Sequence, residues 1–414
     1  MKRRKALEHI GIGLTAGMVM PGFLAGCQKD DPGPEVPYDG NVLVIGAGAA
    51  GLYAADILRV KGINVTVLEA TSQSGGRVRS LRNQSNTQYQ TFSSSSQADF
   101  PVELGAEVVY GSNSSWGKII SDIGIVTKEI DATAARYVLD NVAKKATDLA
   151  ADADYLAVQS FISTLANNNS TASVADAANV SPRAKALLNS LAGNFYGSTT
   201  DKIGTSGLSE SLKLVTHDQK QLTTVSNPWQ DILLSRFNGI LPQIKYDTIV
   251  KRIDWGDNVI TVTDSNGKTY TATKLIITVP LAILKAGGIT FSPALPTATT
   301  GAMNKFAVDP AIRIVMDFKS NFWGLDSSFI WGGTDVPQYF NAGVNRSKYF
   351  RTLSLTVYGE KAQQLSNLTD LEKAKLVIKE LDAIYDGQAT KFIRRDINNP
   401  NPEPPADPYS NIIY

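Results

Sequence analysis

A glycine-rich turn between two apolar strands constrains this 414-residue chain more than any other feature. Residues 41–45 (Asn-Val-Leu-Val-Ile) have the pattern of a buried strand, and they run directly into Gly-Ala-Gly-Ala-Ala-Gly at residues 46–51. A helical stretch from residue 52 to Lys61 follows, and residues 64–68 form a second apolar strand that ends before Glu69. This order of elements, a strand, a glycine-rich turn, a helix and a second strand followed by an acid, predicts a βαβ unit.

Each glycine of the turn has its own physical role in such a unit. Gly46 permits the tight turn, Gly48 lets the backbone approach a pyrophosphate, and Gly51 lets the helix pack closely on the strand. The N-terminus of the helix that follows Ala50 and Gly51 supplies free N–H groups and a positive dipole end, which attract phosphate. Glu69 lies 23 residues after Gly46 and is placed to accept hydrogen bonds from ribose hydroxyls. We therefore predict an α/β, doubly wound, Rossmann-like domain that binds a dinucleotide.

A second glycine-rich segment identifies the dinucleotide by resemblance. Gly75-Gly76-Arg77 follows the ribose acid, and Val102-Glu103-Leu104-Gly105-Ala106-Glu107 comes later. With these segments the chain resembles the flavin-containing amine oxidase family, which includes monoamine, polyamine and L-amino acid oxidases. The resemblance implies FAD, bound in part by Ala70, Gly76, Arg77, Gly105, Ala106 and Glu107. Glu103 and Glu107 could alternatively be a catalytic acid–base pair, but the Gly-Ala turn between them disfavours a helical pair.

Residues 226–296 carry the more specific resemblance. We predict strands at 246–254 and 259–264 with a hairpin turn between 264 and 269, and a third strand at 275–279. The string Thr-Val-Pro-Leu-Ala-Ile-Leu-Lys at 278–285 is similar to the amine oxidase pattern. In that family the valine matching Val250 presents its backbone to the adenine.

The resemblance implies a discontinuous α+β substrate domain beside the FAD-binding domain. Helices are predicted at 115–123 and 143–165, a sheet at about 300–395, and a helix that opens with a capping box at Thr369. The predicted division is: signal peptide 1–26, tether 27–40, first FAD-binding segment 41–111, helical insert 112–225, second FAD-binding segment 226–296, substrate-domain sheet and helix 297–400, and the start of an apparently incomplete FAD-binding segment 401–414.

Two positions depart from the family pattern. The family has a lysine ten residues before a Phe-Trp tryptophan, associated with the reaction of reduced flavin with dioxygen. Counting back from Trp323 gives Arg313, which cannot be deprotonated at working pH and whose planar fork has a different reach from a lysine ammonium. Arg313 is therefore either a catalytic residue that disfavours oxygen chemistry or a strand arginine that neutralises a carboxylate. Tyr414, the last residue, matches the first tyrosine of the aromatic pair that flanks the substrate.

The N-terminus has the pattern of an export signal. Lys2-Arg3-Arg4-Lys5 precedes an apolar stretch, and Leu24-Ala25-Gly26-Cys27 resembles a bacterial lipoprotein cleavage site. We expect lipidation at Cys27 and attachment to the cell envelope. The paired arginines also resemble a loose twin-arginine signal.

Composition excludes several other kinds of chemistry. The chain has two histidines and one cysteine, so a zinc site, a cysteine nucleophile and a disulfide framework are not expected. Its 40 basic and 39 acidic residues give no charge footprint for nucleic acid. His217 lies in a polar loop and is predicted to be a surface residue.

The resemblance implies hydride transfer from an amine or amino acid to flavin N5, giving an imine, with dioxygen or another acceptor taking the electrons. A catalytically impaired, truncated surface lipoprotein and a flavin dehydrogenase or desaturase remain alternatives.

Overall fold

The computed structural model describes residues 38–81, 102–225, 227–256, 259–345 and 351–393. The predicted signal peptide, Cys27 and Tyr414 lie outside these ranges. The described chain divides into two compact units. The first unit contains residues 38–79 and 229–308, and the second contains residues 80–228 and 309–393. The first boundary thus follows Arg79, whereas the first predicted FAD-binding segment extends to residue 111.

The described strands are short, and most have two to five residues. They are β1 (Asn41–Ile45), β2 (Asn64–Leu68), β3 (Ser80–Leu81), β4 (Val102–Glu103), β5 (Val109–Tyr110), β6 (Thr127–Glu129), β7 (Arg136–Leu139), β8 (Val142–Lys144), β9 (Gln221–Thr224), β10 (Ile244–Lys245), β11 (Val250–Asp254), β12 (Ile260–Asp264), β13 (Thr269–Ala272), β14 (Lys274–Ile277), β15 (Thr290–Ser292), β16 (Ala311–Asp317), β17 (Phe329–Trp331), β18 (Gln338–Asn341) and β19 (Thr352–Tyr358).

The described helices lie mainly in the second unit. They are α1 (Ala49–Val60), α2 (Ser115–Asp122), α3 (Ala153–Thr164), α4 (Val174–Ala178), α5 (Lys185–Ala192), α6 (Thr205–Lys213), α7 (Trp229–Arg236), α8 (Leu281–Lys285), α9 (Thr297–Asn304), α10 (Glu360–Ser366), α11 (Asp370–Ile384) and α12 (Gln388–Phe392). Short 3₁₀ helices span Ala132–Ala134, Ala146–Leu149, Leu165–Asn167, Pro182–Ala184, Asn194–Tyr196 and Asn238–Gln243.

The first unit is built on a four-stranded parallel sheet in the order β10-β2-β1-β14. β1 pairs with β2 from Asn41 opposite Asn64 to Ile45 opposite Leu68. Parallel strands must be covered on both faces, which explains their continuous apolar sequences. A second sheet, β13-β12-β11-β15, shares a core with the first through residues such as Leu43 and Ile253. This arrangement confirms the Rossmann-like α/β prediction.

The second unit contains a six-stranded mixed sheet in the order β16-β19-β18-β17-β7-β8. Its longest pairing is antiparallel, between β16 and β19. One core packs α3 and α5 against β17 and β18, and another packs α10 and α11 against β16 and β19. The predicted capping box opens α11, because Thr369 and Glu372 each accept a hydrogen bond from the other's backbone N–H.

Several predicted element boundaries were wrong. The helix predicted from residue 52 begins at Ala49, because Gly48 serves as its N-cap. The helix predicted at 143–165 begins only at Ala153, where the Asp152 side chain accepts from two backbone N–H groups; a strand and a 3₁₀ helix precede it. The strand predicted from residue 246 begins at Val250, since Asp247 has φ 52° and breaks the extended backbone.

No helix among the described residues is both long enough and apolar enough to cross a membrane.

Candidate functional site

The glycine-rich turn of the first unit is closely packed against its own backbone. Gly46 has φ +103°, and its N–H donates to the carbonyl of Leu68 on the neighbouring strand at 2.9 Å. A Cβ placed on Gly51 would lie 1.9 Å from the Gly46 carbonyl oxygen. Both positions therefore require glycine, as the sequence predicted, because any side chain would force strand and helix apart.

Gly48 has a different environment. It is the N-cap of α1 with φ −74° and ψ 179°, and no side chain caps the helix there. A Cβ placed on Gly48 would have one heavy atom within 4 Å, the Cα of Gly76 at 4.0 Å. Ala50, in the first turn of α1, is exposed. The helix therefore begins without a side-chain cap, at a position where no side chain approaches Gly48.

The second glycine-rich segment lies against the first. Gly75 donates its N–H to the carbonyl of Ala47 at 2.9 Å and forms a parallel bridge with Gly48. Gly75 and Gly76 have φ of +124° and +56°, so both adopt conformations that favour glycine. Arg77 follows immediately and is exposed. Residues separated by almost thirty positions thus form one side-chain-free surface around Gly48.

Glu69 is buried at the end of β2 and stabilises the turn. One carboxylate oxygen accepts the N–H of Ala47 at 2.7 Å, and the other accepts the N–H and hydroxyl of Thr71 at 3.0 and 2.8 Å. Each oxygen has two lone pairs, so acceptor capacity remains for further donors. Ala70 is exposed beside it. The sequence predicted the ribose acid but gave no signal for Thr71.

Other residues of the first unit support this site. Gln230, on α7, donates to the carbonyl of Ser74 at 2.7 Å, and the Ser74 hydroxyl lies 2.7 Å from that of Tyr246. These long-range contacts hold the second glycine segment, and sequence reasoning missed them. Val250 is buried in β11 and pairs with Asp264.

In the second unit, Arg313 has a partner for each guanidinium nitrogen. Its Nε donates to the carbonyl of Glu103 at 2.9 Å and its Nη1 donates to the hydroxyl of Thr356 at 2.9 Å. Its Nη2 forms an ion pair with Glu107. The Glu107 carboxylate also accepts the hydroxyl of Ser354 at 2.7 Å. The structure therefore contains the carboxylate partner that the non-catalytic interpretation of Arg313 requires.

The two glutamates of the 103–107 segment have separate partners. The buried Glu103 carboxylate accepts the hydroxyl of Ser80, while Glu107 pairs with Arg313. Between them, Gly105 is partly buried and Ala106 is exposed, in a bend that leads from β4 to β5. These partners give no support to the acid–base pair that the sequence already disfavoured.

Three tyrosines and a phenylalanine form a group that we call the tyrosine cluster: Tyr110, Phe195, Tyr196 and Tyr358. Phe195 packs edge-to-face on Tyr110 and Tyr196, with ring centroids 5.6 and 5.0 Å apart. Burial and the negative charge of Glu107 raise the pKa of Tyr110, and burial raises the pKa of Tyr196. These two phenols therefore stay neutral at physiological pH.

His217 lies outside the tyrosine cluster, in the loop that precedes β9. Its ring is partly buried against Gly111, and Nδ1 lies 2.7 Å from the carbonyl oxygen of Asp218. Among the described residues, no group of histidine, cysteine or acidic side chains could hold a metal ion.

The parallel sheet, the uncapped helix start, the open glycine surface and the buried acid are the features of a dinucleotide-binding fold. Comparison with known proteins identifies the family. The sequence profile of flavin containing amine oxidoreductases matches residues 49–241 and 242–404, so this chain belongs to that family.

Among curated relatives, polyamine oxidase 4 of Oryza sativa subsp. japonica is 24% identical, over 92% of this chain and 78% of its own length. The L-amino acid oxidase Bs29 of Bothriechis schlegelii is also 24% identical, over 85% and 74%. Protein FLOWERING LOCUS D of Arabidopsis thaliana is 24% identical over 90% of this chain, which spans only 47% of that protein's length. The chain thus spans about half the length of several of its curated relatives.

Solved structures share the fold at lower identity. Cyclohexylamine oxidase from Brevibacterium oxydans IH-35A aligns with a TM-score of 0.67 and 17% identity, covering 86% of this chain and 83% of that one. Wild-type putrescine oxidase bound to putrescine aligns with a TM-score of 0.65, with the same identity and coverage.

Proposed function

We propose that this chain is an FAD-dependent oxidoreductase that oxidises an amine or amino acid at the carbon bearing nitrogen. When bound, FAD would accept the hydride of the substrate C–H bond and later pass the electrons to dioxygen or another acceptor. Water would hydrolyse the resulting imine to a carbonyl compound, with release of ammonia or an amine. The observation that carries the proposal is the contact between the Gly48 and Gly75 turns, which leaves a side-chain-free surface at the start of α1.

The first unit would hold the cofactor. Gly46, Gly48 and Gly51 form the turn at the start of α1, whose N–H groups and dipole favour the diphosphate. Glu69 would accept hydrogen bonds from the ribose, with Ala70, Gly76 and Arg77 alongside. The resemblance adds Val250 near the adenine, and Gly105, Ala106 and Glu107 near the isoalloxazine. The protein's contribution would be to orient the reactants and keep water out.

The test is spectroscopic. The full-length protein, purified or reconstituted with FAD, should have flavin absorbance that bleaches anaerobically when an amine or amino acid is added. Protein that cannot bind FAD, or flavin that no compound of either class bleaches, would contradict the proposal.

The identity of Arg313 bears on which electron acceptor reoxidises the flavin, and it favours an acceptor other than dioxygen. Its guanidinium is held by a carboxylate, a hydroxyl and a carbonyl, so it cannot reproduce the ammonium that this position carries elsewhere in the family. A dehydrogenase is therefore a second candidate. Measuring hydrogen peroxide against reduction of a dye acceptor distinguishes it from an oxidase.

We further propose that the protein is exported and lipid-anchored through Cys27, by a general or a twin-arginine route. The support is the sequence pattern at residues 2–27. Expression in a bacterial host with labelled palmitate should label the wild-type protein but not the Cys27→Ser variant; equal labelling would contradict it.

A further inference from the structure

Four exposed apolar or aromatic residues lie at one edge of the first unit, where the strands of its parallel sheet begin. They are Tyr38, Val60, Trp255 and Val259, with exposed fractions of 37%, 70%, 36% and 57%. Single exposed apolar residues are ordinary on a protein surface, whereas a group of them at one edge indicates a partner. We call these four residues the apolar edge.

The parallel sheet brings the first two of these residues to its edge. Tyr38 precedes β1, and its hydroxyl is hydrogen-bonded to that of Thr273, the residue between β13 and β14. Val60 is the last residue of α1, four residues before Asn64, and Asn64 is paired with Asn41 at the start of β1. Both residues therefore lie where β1, β2 and β14 begin.

The second sheet brings the other two residues to the same edge. Trp255 follows the last residue of β11, and Val259 precedes the first residue of β12. These two strand ends are adjacent because β11 and β12 are antiparallel. The start of β12 is in turn paired with the end of β13, one residue before Thr273. The apolar edge is therefore continuous across both sheets.

The two aromatic residues suit an interface between water and lipid. The indole N–H of Trp255 donates to the carbonyl of Pro293 at 2.7 Å, and the Tyr38 hydroxyl is bonded to Thr273. Because each polar atom has a partner within the unit, moving the ring from water into lipid leaves no polar group unpaired. Tryptophan and tyrosine are also the residues that are enriched at membrane surfaces.

The charges at the apolar edge and the chain that leads into it favour a membrane as the partner. Lys61 and Lys274 are exposed there, as is Asp39, so positive charge is in excess among these three and attracts anionic headgroups. Cys27, the proposed lipid anchor, precedes Tyr38 by eleven residues. An extended chain spans at most about 3.6 Å per residue, so a lipid on Cys27 would keep this edge within about 40 Å of the membrane. A tether this short raises the local concentration of the edge at the lipid surface, so weak contacts suffice.

The cofactor site lies at the opposite edge of the same parallel sheet. Gly46 follows the last residue of β1, and Glu69 follows the last residue of β2. Each strand has five residues, so about 16 Å separates its two ends. A membrane contact at the strand starts therefore leaves the glycine turns facing away from the lipid.

We propose that the apolar edge contacts the membrane to which Cys27 attaches the chain, so that the first unit docks with its strand starts toward the lipid and its glycine turns toward solvent. The inference rests on the proposed lipid anchor, because that anchor supplies the short tether. The four side chains would enter the boundary between headgroups and acyl chains, about 5–10 Å deep.

Quenching by brominated lipid tests this contact in the whole protein. The full chain, isolated from bacterial membranes, is reconstituted into vesicles of phosphatidylethanolamine and phosphatidylglycerol whose acyl chains carry bromine, which quenches a tryptophan that it touches. The emission of the wild-type protein minus that of Trp255→Phe belongs to Trp255. This difference should fall in brominated vesicles relative to the same vesicles without bromine. Trp229, Trp323 and Trp331 are buried and should keep their emission.

Two substitutions and a matched control locate the contact. Val60→Asp and Val259→Asp each place a charge at the apolar edge and should lower the ratio of docked to undocked protein by about tenfold. Ile249→Asp is the control, because Ile249 is 43% exposed and precedes β11, at the other end of the β11–β12 pair from Val259. It should keep the wild-type quenching. All three variants should unfold near the wild-type temperature, which separates a loss of docking from a loss of fold.

The outcomes separate the docking inference from the anchor proposal. Trp255 emission that brominated lipid leaves unchanged overturns the inference, as does quenching that both edge variants keep or that Ile249→Asp loses equally. Should an edge variant not fold, the quenching of Trp255 in the wild-type protein decides. Failure of the anchor appears separately, as a chain that palmitate does not label. The full chain is then coupled through Cys27, its only cysteine, to a maleimide lipid in the same vesicles, and the same quenching confirms or overturns the docking.

Discussion

Gly48 allows the cofactor site to be tested without disturbing the fold. Its φ of −74° and ψ of 179° are conformations that alanine adopts without strain. The added Cβ would have no heavy atom closer than the Cα of Gly76 at 4.0 Å, an ordinary contact. Gly48→Ala should therefore keep the free energy of unfolding within about 1 kcal/mol of wild type, because the lower entropy of the unfolded alanine chain offsets the poorer N-cap preference of alanine.

The same methyl group should impair FAD binding. It would occupy the side-chain-free surface that lets the backbone approach a pyrophosphate. An extra methyl in a tightly fitted contact costs about 1–3 kcal/mol. That cost corresponds to an increase of roughly 5- to 150-fold in the dissociation constant for FAD. We expect Gly48→Ala protein to purify with less flavin and to need correspondingly more FAD for reconstitution.

Two other glycines provide matched controls. Gly51→Ala places its Cβ 1.9 Å from the Gly46 carbonyl, so the fold itself should be destabilised. Gly62→Ala has no heavy atom within 4 Å but has φ +76°, so it should cost only backbone strain and leave FAD affinity unchanged. FAD titration by flavin fluorescence and thermal unfolding without FAD measure the two effects. The reasoning is refuted if Gly48→Ala binds FAD as tightly as wild type, or unfolds as easily as Gly51→Ala.

Three further predictions concern single described contacts. Thr369→Ala removes the reciprocal cap with Glu372 and should lower the free energy of unfolding, measured in urea, by about 0.5–2 kcal/mol. An unchanged free energy of unfolding would show that this capping box does not stabilise α11. Hydrogen bonds from Arg183 lower the pKa of Asp152 to about 2, so this stabilisation is present above pH 4 and is lost as the pH falls through 2. Asp152→Asn, which keeps a capping oxygen, should therefore reduce the fall in melting temperature between pH 4 and pH 2, while carboxylates such as Asp140, whose pKa Arg183 also lowers, maintain the rest. An unaltered fall would refute the linkage. Arg313→Lys should lower the free energy of unfolding by about 1.5–3 kcal/mol, because an ammonium cannot reach all three partners of the guanidinium. The same variant should form more hydrogen peroxide during turnover. Unchanged oxygen reactivity would show that our interpretation of this residue is wrong.

Local sequence predicted those regions of the fold in which neighbouring residues determine one another. Residues 41–69 contain strand, turn, helix and acid in a single register, and the structure confirms the strands, the helix and the close packing of Gly51 on Gly46. The capping box at Thr369 was likewise predictable, because its partner is three residues away. In these segments hydrogen-bonding and steric requirements are met within a few residues.

Boundaries were less predictable where a single side chain or backbone angle decided them. The alanine-rich sequence from residue 143 has helical propensity, but a hairpin and a 3₁₀ helix come first, and α3 begins only at the Asp152 cap. Residues 246–249 continue an apparent strand, yet the positive φ of Asp247 and the hydrogen bond from its N–H to Thr71 turn the chain. Propensity is a weak prior, and tertiary contacts override it at such positions.

The contacts around Arg313 and the tyrosine cluster join residues far apart in sequence. Glu107 and Arg313 are separated by about two hundred residues, and Asn194 reaches β19 across more than 160. Spacing against a tryptophan identified Arg313 as the position where the chain departs from its family, but no periodicity reveals that a glutamate from the 103–107 segment neutralises it. The same glutamate was assigned to the cofactor by resemblance. In the folded chain its carboxylate pairs with Arg313 and accepts the hydroxyl of Ser354, and both partners lie on strands more than two hundred residues further along the sequence, so no local pattern could have predicted these contacts.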